Sequence, residues 1–223
     1  MTSLVTVSFA KDERVALCDL LEEVGPDAPT LCEGWTTHDL AAHLWIRESD
    51  PLGAPGIMAK PLAGLTQRRM ADLEQRMPYV ELVEKLRNGP LRFSLFGIPG
   101  VDEAANATEY FIHHEDVRRA GETPLPPRDL DPAIESMIWK RLKLMGRLFF
   151  RSSPVGVVLE RTGRPAGQQP ETARMQSGSS IVTIAGRPGE LMLFGSGRRA
   201  VADVVLVGEE NAKQSLLGIR YAL

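Results

Sequence analysis

Near residue 153 the hydrophobic period of this chain changes, and a sequence that changes period has to fold as two kinds of structure. Upstream, apolar residues recur at three- and four-residue spacing and capping residues stand where helices need them. Ser8 can cap a first helix carrying Val15, Leu17, Leu20, Leu21 and Val24, which stops at Gly25 and Pro26. Gly34 and Trp35 make a turn, and Thr36 with Asp39 forms a capping-box-like pair opening a helix to about Arg47. Residues 53–61 read as loop, 62–76 as helix, and Pro78 opens a short helix to Leu86. A connection over 89–100 holds an apolar patch at 93–98. Asp102 then caps a strong helix to Gly121, and a last helix with Pro132 in its first turn runs to about Arg151.

Downstream, residues 155–159, 180–184 and 201–207 are β-branched runs bounded by glycine and proline, which predicts strands. Residues 188–194 and 209–217 read as short helices. The expected fold class is therefore α plus α+β: a helical domain over 1–152 and a small α+β domain over 153–223. No repeat and no low-complexity segment interrupts this plan.

Charge narrows the function. With 26 Lys+Arg against 29 Asp+Glu the net charge is −3, so no basic footprint for nucleic acid is expected. No apolar run approaches the ~18 residues of a membrane span, and the N-terminal LVTVSFAKDER lacks a signal-peptide pattern. The expected location is the cytoplasm, without membrane partners. Cys18 and Cys32 should remain thiols there.

The four histidines are His38, His43, His113 and His114. His43 shares a helix face with Leu40 and Leu44, on the side that should look inward. In the helix after Asp102, Ala105, Glu109, Ile112, His113 and Asp116 share one face, which Ala105 and Ile112 mark as inward. A carboxylate buried there needs a cation, a hydrogen-bond network or a metal. Glu109 and His113 stand at i and i+4, a spacing that lets both reach one ion, and His43 is the inward histidine available elsewhere to complete a two-histidine, one-carboxylate set. Zinc, nickel and ferrous iron accept such a set. Asp116, one turn on, can orient a ligand. Glu-x-x-x-His also occurs on many solvent-facing helices, so the spacing alone leaves both readings open.

The segment LCEGWTTHDLAAHL, followed some 60 residues later by EYFIHHEDVRRAG, resembles the actinobacterial branch of the DinB/YfiT superfamily, the family of mycothiol-dependent maleylpyruvate isomerase. The resemblance implies a DinB-like four-helix bundle holding a divalent metal, usually zinc, through His43, Glu109 and His113, with Asp116 beside them. The segment IAGRPGELMLFGSGR is similar to that family's C-terminal domain, a sterol-carrier-like α+β unit. It implies a thiol cosubstrate, mycothiol or a similar one, and a small electrophile. It further implies an arginine from the second domain that holds an anionic substrate. Arg198 is the candidate, with Arg220 as alternative; a helix-end role for Arg198 competes with it.

The remaining patterns read as structure. His38 is expected at an exposed helix start and His114 on the surface, about 100° round from His113. GSGRRA mimics a dinucleotide fingerprint but follows a helix rather than a strand. Lys140, Lys143, Arg147 and Arg151 form a solvated stripe. Cys32 has no evident base in the sequence and reads as an inert thiol near Trp35. The expected function is a metal-dependent, thiol-dependent transferase or isomerase; a catalytically silent metal- or ligand-binding module is the competing reading. Oligomeric state stays open, a homodimer included.

Overall fold

The computed structural model describes residues 8–90, 101–164 and 167–219, with the side chains of residues 58, 101, 102, 104 and 105 outside that description. The expected cap at Asp102, the inward Ala105, the apolar patch at 93–98 and Arg220 therefore lie outside the described residues. The chain divides into two compact units, Met1–Leu125 and Pro126–Leu223.

The first unit is helical: α1 (Phe9–Val24), α2 (Thr37–Ser49), α3 (Pro55–Met58), α4 (Ala63–Arg76), α5 (Tyr79–Arg87) and α6 (Val101–Arg118), with a 3-10 turn at Lys60–Leu62. Residues 53–61, expected as loop, thus hold a short helix. Ser8 caps α1 by accepting from the Lys11 N–H, and Glu103 of α6 accepts from both the Ser8 hydroxyl and the Ala10 N–H. A carboxylate at that end also meets the positive pole of the helix dipole. Gly25, at φ 79°, supplies the left-handed residue that ends α1. Thr36 and Asp39 form the reciprocal capping box that starts α2.

Leu17 and Leu21 of α1, Leu40 and Leu44 of α2, Leu82 and Leu86 of α5 and Tyr110 of α6 form one core. Each leucine so buried contributes roughly 1.5–3 kcal/mol. α6 is buried nearly all round: every described side chain from Asn106 to Val117 is buried except the half-buried Glu109. Several of its polar residues are met internally, while the buried Thr108 and Tyr110 hydroxyls have no hydrogen-bond partner among the described residues. Asn106 donates to Glu48 at 2.6 Å, Arg14 donates to the same Glu48 oxygen at 2.8 Å, and Glu115 pairs with Arg118 and Arg119.

The second unit contains α7 (Pro132–Phe149), β1 (Gly156–Arg161), β2 (Glu171–Gln176), β3 (Ile181–Gly186), α8 (Pro188–Gly195), β4 (Val204–Val207) and α9 (Glu210–Leu217). The sheet order is β2-β1-β3-β4, with β1 and β3 parallel and both edges antiparallel to their neighbours. Val157, Leu159, Val182 and Ile184 alternate onto a buried face, and α8, wholly buried, supplies Leu191 to Phe194 to the core. β2 was not legible as a strand, because ETARMQ has one β-branched residue and buries only Met175.

The division after Leu125 differs from the period boundary at 152/153. α7 packs on α8 and β2, and its Gly146 makes this close approach possible: a Cβ there would stand 2.5 Å from the Met175 sulfur. Lys140, Lys143, Arg147 and Arg151 are exposed, as expected. Among the described residues no helix is long and apolar enough to cross a membrane.

Candidate metal centre

α2 and α6 bring His43, Glu109 and His113 together. Both histidines are 7 % exposed, while the Glu109 side chain keeps 27 % of its surface. His43 Nε2 lies 3.4 Å and His113 Nε2 3.3 Å from the same carboxylate oxygen, Glu109 Oε1. The three donor atoms lie within 4.8 Å of one another. Tetrahedral ligands on bonds of about 2.0–2.2 Å stand about 3.4 Å apart, so the spacing and chemistry of this set fit a divalent ion.

His113 is held from its other side. Its Nδ1 is 2.9 Å from Asp116 Oδ2, and Asp116 is fully buried. If Nδ1 carries the proton, Nε2 is left with its lone pair toward Glu109, the orientation a ligand needs. Asp116 Oδ2 also accepts from the Cys32 thiol at 3.3 Å. The Cys32 loop is fixed to α6 by the Leu31 N–H, which donates to the Asp116 carbonyl, and within itself by Thr30, which takes the Cys32 N–H and donates to the Trp35 carbonyl. Trp35 packs against the His43 ring, centroids 5.1 Å apart and planes tilted by 50°. A carboxylate partner for Cys32, absent from the sequence reading, is thus supplied by the fold, and Cys32, His113 and Asp116 form a second group of potential ligands sharing His113.

The electrostatics follow. Burial holds the His43 imidazole below its ordinary 6.5, against the hydrogen bond to Glu109. For His113 burial acts the same way, but hydrogen bonds to Asp116, Cys32 and Glu109 outweigh it and raise the pKa well above 6.5. Burial would raise Glu109, yet the two imidazoles and the Arg47 charge hold it well below 4.5.

Arg47, one turn after His43, places Nε 3.5 Å from Glu109 Oε1 and donates to Asn106. The sequence marks Arg47 only as the approximate end of this helix. His114 corrects the expectation of a surface residue: it is 8 % exposed and bonded through Nδ1 to Glu13 of α1 at 3.1 Å. His38 is half-buried rather than exposed, edge-on to Tyr79 at 5.4 Å. In the second unit, the Arg198 N–H donates to Leu193 O and its Nη1 to Ser196 O at 2.7 Å, contacts that close the end of α8.

Residues 10–90 match the mycothiol maleylpyruvate isomerase N-terminal domain. This is the family that the GW turn and the AAHL segment resemble. The matched stretch contains Cys32, Trp35, His43 and Arg47; Glu109, His113 and Asp116 lie beyond it. No match was found among the curated proteins or among the solved structures.

Proposed function

We propose that this chain is a divalent-metal-dependent enzyme that uses a low-molecular-weight thiol of the mycothiol type against a small electrophile, by transfer or by isomerisation. The helical unit is read as a DinB-like four-helix bundle and the second unit as a sterol-carrier-like α+β domain. The reading is carried by the convergence of His43 and His113 on Glu109 Oε1 at 3.4 and 3.3 Å, with all three donor atoms within 4.8 Å, in a chain whose residues 10–90 match the isomerase family's domain. Zinc, or nickel or iron, held by these three residues would supply Lewis acidity that lowers the pKa of a thiol or water at neutral pH.

The chain's own residues do the rest. Asp116 fixes the tautomer and tilt of His113 and engages the Cys32 thiol, so Cys32 acts as a donor to Asp116 rather than as a nucleophile. Arg47 orients Glu109 and offsets its charge. Trp35 packs against the His43 ring and limits its movement. Arg198 is the candidate partner for a substrate carboxylate, in competition with a helix-end role that its contacts to Leu193 O and Ser196 O match.

The test is consumption of a thiol with an electrophilic acceptor, before and after chelation and with metal returned. Turnover that disappears with chelator and returns with the ion supports the proposal. Turnover indifferent to chelator contradicts it, and a metal-loaded protein with no turnover for any thiol would leave a silent metal-binding module.

A further inference from the structure

The second unit carries a cleft of its own, about 550 Å³ in volume and within the ~300–1,000 Å³ range of small-molecule sites. Pro132, Glu135 and Ser136 from the first turns of α7 form one wall; Arg161 at the end of β1, Arg164 just after it and Arg187 before α8 form the other. Gly163, at φ 76°, turns the chain between Arg161 and Arg164, and the stem of Arg187 lies against that turn.

The guanidiniums are unequally paired. Arg187 sits 3.0 Å from the buried Glu135 and also meets Asp129, whose side chain is 92 % exposed and so screened by water. Arg161 meets Glu171, an acid that Lys143 engages at 3.2 Å, at 3.4 Å, and its charge also acts on Glu135. The Arg161 side chain is 12 % exposed and its Nε, buried, has no hydrogen-bond partner. Neither Glu171 nor Glu135 makes a close two-point pair with this guanidinium, the pairing that best compensates a buried one. Ser136 Oγ, which donates to Pro132 O, accepts from Arg161 Nη2 at 3.0 Å and fixes it along the first turns of α7. Asp131 already caps α7 by accepting from the Ala133 N–H, so the arginines rather than the helix end define the site.

We propose that this cleft binds a small organic anion, its carboxylate or phosphate group seated by Arg161 and Arg187 with Arg164 beside them. Guanidinium forks recognise both groups in the same two-point manner. The site lies wholly within Pro126–Leu223 and does not depend on the proposed metal chemistry.

The experiment is calorimetric titration of the full chain with inorganic phosphate and, separately, with succinate. It is run on chelator-treated protein and on His43→Ala, so that an ion in the helical unit cannot supply the binding. One saturable site per chain is expected for at least one probe, and which probe binds assigns phosphate or carboxylate. Arg161→Gln should weaken it at least about tenfold, with Arg161→Lys intermediate. Should Arg161→Gln fail to fold, phenylglyoxal modification of Arg164 and Arg187 in the wild-type chain decides: the bound probe should slow it. Absence of saturable binding to both probes, equal binding by folded Arg161→Gln, or unchanged phenylglyoxal modification at saturating probe would overturn the proposal.

Discussion

Glu109 Oε1 stands 3.4 Å from His43 Nε2 and 3.3 Å from His113 Nε2, and the tautomers of the two rings decide which nitrogen donates to it and which offers a lone pair. Burial holds His43 below its ordinary value, whereas hydrogen bonds to Asp116, Cys32 and Glu109 raise His113, so His113 is the imidazole at which a proton competes more strongly with a metal. Metal requires neutral imidazole, so binding near neutral pH must expel a proton from His113. Apparent metal affinity should therefore fall as pH drops through the neutral range, not only below 6.5, and calorimetry in two buffers of different ionisation enthalpy should find about one proton released per ion. Affinity flat across that range would contradict histidine ligation. In the ion-free protein the raised His113 acts in the opposite direction: its contribution to stability is full below 6.5 and is lost as pH rises through the folded-state value. Asp116→Asn tests the support from behind. Metal affinity should drop about 10–100-fold with the helical content intact, and unaltered affinity would show that Asp116 does not orient the ligand.

At the scale of elements, the capping box of α2, the Gly25 stop and the inward His43 were legible because each depends on a few adjacent residues. α6 was legible only in part. The inward face at Glu109, His113 and Asp116 came from helical spacing, but that reasoning assumes the opposite face is wet. α6 is buried nearly all round, and its outward-looking His114 is met by Glu13 of a helix packed on that side. No local pattern announces a helix buried nearly all round when its buried faces carry so many polar residues. β2 escaped for the converse reason, as an edge strand with one buried side chain. Two substitutions probe these packings. Glu48→Ala leaves Arg14 buried without that partner and should destabilise the helical unit by about 3–5 kcal/mol in denaturant titration. Gly146→Leu puts a side chain where Met175 stands and should cost about 1–3 kcal/mol while sparing metal content. A neutral result at Gly146 would show that α7 does not pack tightly on the sheet.

On the scale of the whole molecule, the change of period at 153 marks where the local chemistry changes, whereas the compact units divide after Leu125 because packing assigns α7 to α8 and β2. A fragment of residues 126–223 should accordingly melt cooperatively by circular dichroism, and one of residues 153–223, without α7, should not. A stable 153–223 fragment would restore the earlier boundary. The central claim, a metal centre built across α2 and α6, meets its most direct test in metal analysis of the full chain purified without a histidine tag, alongside His43→Ala and His113→Ala. The account predicts one divalent ion per chain in the wild type and loss of that ion in both variants with helical content retained. Full occupancy in both folded variants, or a wild-type chain that takes up no divalent ion, would contradict it.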